Sequence, residues 1–76
     1  MERYTRQRDA ILNTLVAARR PLGPQEILAA AQAAAPSLGI ATVYRTVKLL
    51  LEDGSIRAVA LPGEPPRYEA ADLGHH

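Results

Sequence analysis

The hydrophobic period of this sequence changes once, after Gly54. Before this glycine, apolar residues recur every three or four positions in three segments, which is typical of amphipathic helices. After it, SIRAVAL (residues 55–61) alternates with a period of two, PGEPP (residues 62–66) is a turn sequence, and RYEA (residues 67–70) is predicted as a short return strand. The pattern predicts three helices followed by a two-stranded hairpin, so the chain is expected to be mainly α.

Prolines bound the first two predicted helices. The first is predicted over residues 6–18, with Thr5 as its N-cap, and Pro21 ends it because the residue before a proline resists the α conformation. The second begins at Pro24, since a proline at the first helical position lacks only an N–H that would be unpaired anyway, and Pro36 ends it. Its predicted inner stripe contains Ile27, Leu28, Ala31 and Ala34.

The third predicted helix, residues 40–53, has two unlike faces. At about 100° per residue, one arc holds the apolar residues Ile40, Val43, Val47, Leu50 and Leu51. The other arc holds Ala41, Tyr44, Arg45 and Lys48. No acid occurs between Ile40 and Leu51 to balance the two cations, and Gly54 is the predicted left-handed C-cap.

Composition excludes several classes of protein. The chain has no cysteine, so it can form neither a disulfide nor a thiolate metal site. It has no Trp and no Phe, so its core must be built from Ala, Leu, Ile and Val, which suits packed helices. No apolar run approaches the about 18 residues that a membrane span needs, no signal peptide is visible, and we expect a cytoplasmic location. An enzyme is not expected, since no nucleophile is paired with a base and no glycine-rich loop suits a phosphate.

The charge distribution predicts one basic face, although the formal net charge is only +1. Between Arg3 and Arg20, five arginines accompany a single acid, Asp9. The other acids gather elsewhere, mainly at Glu52, Asp53, Glu64, Glu69 and Asp72. A near-neutral protein with this distribution can still present a basic surface to nucleic acid.

Three helices followed by a hairpin describe a winged helix-turn-helix, in which the third helix lies in the DNA major groove. Residues in the N-terminal half of that helix reach base edges, and here they are Ala41, Thr42, Tyr44 and Arg45. An arginine can bind guanine or phosphate, and small apolar groups or aromatic rings can pack on a thymine methyl. The outer face of this helix is therefore predicted to read DNA.

Flanking cations are further candidates for DNA contacts. The hairpin, as a wing, would place Arg57 or Arg67 against phosphate or the minor groove. An N-terminal arm could meet phosphate through Arg3, Arg6 and Arg8. Plainer alternatives stay open, because Tyr44 can be a half-buried packing residue and Arg45 and Lys48 can be ordinary surface charges. A winged helix can also serve purely for protein contacts.

Five sequence pieces carry a resemblance to a known family. They are TRQRDAIL (residues 5–12), PLGPQEIL (residues 21–28), GIATVYRTV (residues 39–47), EDGSI (residues 52–56), and RYE with the terminal HH (residues 67–69 and 75–76). Together they cover nearly the whole chain in order, and ATVYRT is the most specific of them. The sequence resembles the N-terminal DNA-binding domain of the ferric uptake regulator family.

The resemblance implies a bacterial metal-responsive transcription factor, usually a repressor, that binds A/T-rich inverted repeats of double-stranded DNA as a homodimer. It implies that Tyr44 and Arg45 contact bases and backbone and that Arg3 reaches the minor groove. By position, Thr42 and Arg8 are implied backbone contacts. A winged-helix regulator that senses no metal is the alternative.

The resemblance also divides the chain, with residues 1–72 as the DNA-binding domain and residues 73–76 as the start of a hinge to a C-terminal dimerisation domain. It implies that Glu69 and His76 are two ligands of a divalent metal (zinc, iron or manganese) in the full-length protein. Two ligands hold a metal poorly, so none is expected to bind tightly to this fragment. Many iron-responsive members carry a histidine where this chain has Pro21, so the metal stays open; His75 and His76 can also be a tail or tag remnant.

Overall fold

The computed structural model describes residues 2–71, with side chains from residue 5 onward. Its elements in chain order are α1 (Glu2–Ala18), α2 (Pro24–Ala31), α3 (Ile40–Glu52), β1 (Ile56–Val59) and β2 (Arg67–Ala70). This order confirms the predicted arrangement of three helices and a hairpin. The predicted hinge, with His75 and His76, lies outside the described residues. None of the described helices is long and apolar enough to cross a membrane.

Helix α1 is longer than predicted at its start and ends where predicted. It begins at Glu2, so the prediction of Thr5 as an N-cap is wrong. The segment before Thr5 contains no glycine or proline to interrupt the helix. At the other end, Arg19 adopts a left-handed backbone conformation with φ of 57°. This reversal comes two residues before Pro21 and ends the helix by itself.

Helix α2 begins with a backbone cap that the side chain of Glu26 completes. Pro24 is the first helical residue, as the sequence predicts, and Gly23 is the N-cap. The backbone N–H of Gly23 donates to Glu26 Oε1 at 2.9 Å. A donor at the helix start that would otherwise lack a partner is thereby satisfied.

Helix α2 ends at Ala31, well before Pro36. After it, the Gln32 side chain donates to the carbonyl of Leu38 at 3.0 Å, which holds the chain in a turn. Ala35 and Leu38 are buried in this turn, whereas Ala34 is exposed. The prediction of Ala34 as a core residue is therefore wrong, because the helical period on which it depended stops at Ala31.

The buried arc of α3 differs from the prediction at its edges, where Thr46 is buried and Leu51 is not. Val43, Val47 and Leu50 are its centre, and Thr46 at its edge is fully buried. Leu51 is 36% exposed, so its predicted place on the inner face is wrong. Leu51 lies about 80° from Val43 around the helix axis, whereas Thr46 lies about 60° away on the other side.

The turn after α3 aims the chain into the wing, which we define as β1, β2 and the residues between them. Gly54 has φ of 83°, which confirms the predicted left-handed cap. Asp53 Oδ1 accepts a hydrogen bond of 2.8 Å from the backbone N–H of Ser55. The Ser55 side chain, together with this backbone bond, lowers the pKa of Asp53, and the nearby charge of Arg8 adds to the effect. The turn directs Ile56, the first residue of β1, into the core.

The wing is antiparallel and is attached to the helices by a further pairing. Arg57 lies opposite Glu69, and Ala58 lies opposite Tyr68. On the free side of β2, Leu22 pairs with Tyr68 through a backbone bridge. One hydrophobic core joins all elements, and its buried members are Ala10, Ile11, Leu15, Leu22, Ile27, Ala31, Ala35, Leu38, Val43, Val47, Leu50 and Ile56.

Candidate nucleic-acid interface

Helix α3 has an exposed side opposite its buried arc. We call this side the outer face of α3 and define it as Ala41, Thr42, Tyr44, Arg45 and Lys48. Tyr44 is 54% exposed, so about half of its surface is open to a partner, although this exposure does not by itself exclude the half-buried packing alternative. Arg45, Lys48 and Ala41 are also exposed, and Thr42 is intermediate. The structure thus brings five of the predicted DNA-binding residues together on one exposed helical surface.

The cations of this face differ from most other cations in the described part of the chain. Four ion pairs are present there: Arg8–Asp9, Arg20–Glu26, Arg57–Glu69 and Arg67–Glu64. Arg45 and Lys48 are in none of them, so neither has an acidic partner within 4 Å among residues 5–71. Even Glu52, one turn after Lys48, does not approach it. Their positive charge is therefore available to an external anion.

The N-termini of α2 and α3 are also electrostatically different. At α2, the carboxylate of Glu26 caps the N-terminus. The backbone N–H of Gly23 and the charge of Arg20 lower the pKa of this carboxyl group. At α3, the N-cap Gly39 has no side-chain cap and the first turn contains no acid. The positive end of the α3 dipole therefore adds to the field of Arg45 and Lys48. Together they favour an anion on this side of the domain.

The predicted N-terminal arm lies partly outside the description, since nothing is described of the Arg3 side chain. Arg6 is exposed. Arg8 contacts Asp9 at 3.3 Å, and its charge acts on Asp53 at the C-terminal end of α3. Arg8 is thus associated with the opposite end of α3 from Ala41, so the structure does not bring it into the outer face.

The two wing arginines are both paired. Arg57 Nε donates to Glu69 Oε2 at 2.6 Å across the two strands. Arg67 lies 3.3 Å from Glu64 in the turn. Sequence reasoning named both arginines as candidates and missed these partners. The predicted turn is centred on Glu64, and a register symmetric about it would have placed Arg57 opposite Ala71, so no direct signal for the first pair was present in the sequence.

Metal binding was predicted at Glu69 and His76. Among the described residues, no group of three His, Cys, Asp or Glu side chains could hold a metal ion. The Glu69 carboxylate is already bound by Arg57, and His76 lies outside the described residues. The described residues therefore do not form a metal site by themselves, and the pairing of Glu69 with His76 as ligands stays a prediction.

Comparison with known proteins gives a consistent assignment. Residues 2–76 match the Ferric uptake regulator family. The chain is 42% identical over 74 residues to the Ferric uptake regulation protein of Brucella suis, covering 97% of this chain and 52% of that protein. Against the protein of the same name from Campylobacter jejuni it is 36% identical over 76 residues, covering 97% of this chain and 48% of that protein. The chain spans about half the length of the curated relatives it matches.

Solved structures agree with the fold and confirm the winged-helix prediction. The Helicobacter pylori ferric uptake regulator Fur, described as having three functional metal binding sites, superposes with a TM-score of 0.80 at 27% identity, over 92% of this chain and 48% of that chain. The ferric uptake regulator of Francisella tularensis, solved with iron, gives a TM-score of 0.76 at 30% identity, over 92% of this chain and 53% of that chain. The resemblance seen in the sequence is confirmed, and the chain belongs to the ferric uptake regulator family.

Proposed function

We propose that this chain is the sequence-specific DNA-binding domain of a bacterial metal-responsive transcriptional repressor that reads A/T-rich inverted repeats. The observation that carries the proposal is the outer face of α3, where exposed Tyr44 stands beside two cations without acidic partners among the described residues. A winged helix places this helix in the major groove.

The residues of the outer face are assigned different roles. Arg45 binds base edges or phosphate, and Tyr44 packs its ring on a thymine methyl or hydrogen bonds to the backbone. Ala41 and Thr42 lie at the N-terminal end, where small side chains let the helix approach the bases. Lys48 anchors phosphate farther along the helix. These roles need no group that titrates near neutral pH and no catalytic residue.

Dimerisation and metal binding are proposed for a longer protein. One domain reads one half-site, and linking two domains makes the second binding event intramolecular. A single domain is therefore expected to bind weakly and with a strong dependence on salt. The proposal of a homodimer formed through a C-terminal domain fits the length of the relatives, of which this chain spans about half. The same holds for a divalent metal that takes Glu69, His76 and further ligands from a longer protein.

The test is fluorescence anisotropy of a labelled A/T-rich inverted-repeat duplex, titrated at low and moderate salt. Arg45→Ala and Tyr44→Ala should each weaken binding by about 1–3 kcal/mol. Arg20→Ala is the matched control, because it removes the same charge from a position where Glu26 already neutralises it. Circular dichroism would verify that the variants fold.

Absence of binding at low salt, or equal losses in all three variants, would contradict the proposal. The outer face of α3 would then contact another kind of partner, and the winged helix would serve for protein contacts.

A further inference from the structure

The wing neutralises its own cations, whereas the outer face of α3 does not. Arg57 and Glu69 are directly opposed in the strand register, and their side chains are joined by a 2.6 Å charge-assisted hydrogen bond. The Glu69 side chain is 25% exposed and that of Arg57 is 64% exposed. The carboxylate is therefore the more enclosed partner, and the guanidinium is the one that an external anion can reach.

We propose that Glu69 is a positioning residue that restrains Arg57 and thereby weakens the contact of the wing with DNA phosphate. The inference rests on the proposed function, and it adds a determinant of affinity outside α3. A phosphate that approaches Arg57 meets a pair of zero net charge, with a carboxylate close by. It must displace Glu69 or share the guanidinium with it, so the pair provides less counterion release than a free arginine.

The pair is suited to this role because it can be broken without unfolding the domain. It lies at the surface, and surface ion pairs add little to folding stability. Glutamine at position 69 keeps the shape and one hydrogen-bond acceptor while it removes the charge. Effects on DNA affinity can therefore be measured in folded variants, with thermal unfolding as the check.

The experiment compares Glu69→Gln with Glu52→Gln in anisotropy titrations across a range of salt, with EDTA present throughout. Both changes raise the net charge by one unit, but Glu52 is exposed and has no cation within 4 Å among the described residues. Glu69→Gln should tighten binding about threefold to tenfold more than Glu52→Gln does. It should also steepen the salt slope, which is the slope of log K against log salt concentration, by about 0.9. A steeper slope is a readout that a purely structural role of Glu69 would not change.

A double-mutant cycle with Arg57→Gln assigns the effect to the pair. Arg57→Gln should weaken binding less when Glu69 is present than in the Glu69→Gln background, where it should cancel the gain. Equal effects of Arg57→Gln in both backgrounds would overturn the inference. So would a Glu69→Gln variant that binds no more tightly than Glu52→Gln, or more weakly than the unaltered protein, since Glu69 would then orient Arg57 productively.

The outcomes separate the two proposals. If the unaltered protein binds and Arg45→Ala weakens it, while Glu69→Gln matches Glu52→Gln, only the role of Glu69 is overturned. If the unaltered protein does not bind the duplex at low salt, the proposed function and this inference both fail.

Discussion

Leu22 and Tyr68 exchange two backbone hydrogen bonds of 2.8 Å, which attach the connection between α1 and α2 to strand β2. Leu22 is also buried, and Tyr68 packs against the core. Strand β2 is thus paired with β1 on one side and with Leu22 on the other. An isolated two-stranded hairpin is marginally stable in water, so the bridge helps to fix the position of the wing relative to α3.

Hydrogen exchange should detect this bridge. The amide of Leu22 is expected to exchange as slowly as that of Ile27, which donates within the start of α2. The amide of Arg20, in the same connection but without a backbone partner among the described bonds, is the comparison. Two-dimensional NMR would measure the exchange rates of these amides. Equally rapid exchange at Leu22 and Arg20 would show that the bridge is open in solution.

Thr46→Val is predicted to stabilise the domain. Thr46 is fully buried in α3, and among the described residues its hydroxyl has no hydrogen-bond partner. Replacing this hydroxyl with a methyl group removes a desolvation cost of about 1–3 kcal/mol. Chemical denaturation should show a higher midpoint, while Thr14→Val, at a half-buried position, should have a smaller effect. A lower midpoint for Thr46→Val would mean that the hydroxyl has a partner in solution.

Arg19→Gly is predicted to stabilise the end of α1. Arg19 is the one described residue other than glycine with a positive φ, and a side chain in this conformation is strained by about 1–2 kcal/mol. Glycine removes that strain but gains freedom in the unfolded chain, so a net gain of about 0.5–1 kcal/mol is expected. Arg20→Gly, at a residue without a positive φ, should destabilise instead. Thermal unfolding would measure the melting temperatures of both variants, and an Arg19→Gly variant that melts below the unaltered protein would contradict the prediction.

Glu26 should contribute a pH-dependent part of stability. The Gly23 hydrogen bond lowers the pKa of Glu26 below its ordinary value of 4.5. Because the folded pKa is the lower one, this contribution is present above pH 4.5 and is lost as the pH falls through the folded value. Glu26→Gln keeps an acceptor for Gly23 but cannot titrate. At pH 6 the melting temperature of Glu26→Gln should lie below that of the unaltered protein, and this difference should shrink towards pH 3. A difference that stayed constant with pH would show that titration of Glu26 does not contribute to stability.

The faces of α3 were predictable because its 13 residues contain no glycine, proline or long apolar run that would obscure the helical period. Other features were not. The alanine run after Leu28 gives no periodic signal, so the end of α2 and the burial of Ala35 could not be predicted. The bridge between Leu22 and Tyr68 joins residues far apart in sequence through backbone groups, which every residue other than proline possesses.

Lys48 and Arg45 should affect DNA binding in different ways. Lys48 is assigned to phosphate, so Lys48→Ala should weaken binding equally to an A/T-rich inverted repeat and to an unrelated duplex, and reduce the salt slope by about 1. Arg45 is assigned to bases as well, so Arg45→Ala should weaken binding to the inverted repeat more strongly and narrow the difference between the two duplexes. Parallel anisotropy titrations on both duplexes measure this contrast. If Lys48→Ala changed the preference between duplexes and Arg45→Ala did not, the two roles would have to be exchanged, and the base-reading part of α3 would lie one turn closer to its C-terminus.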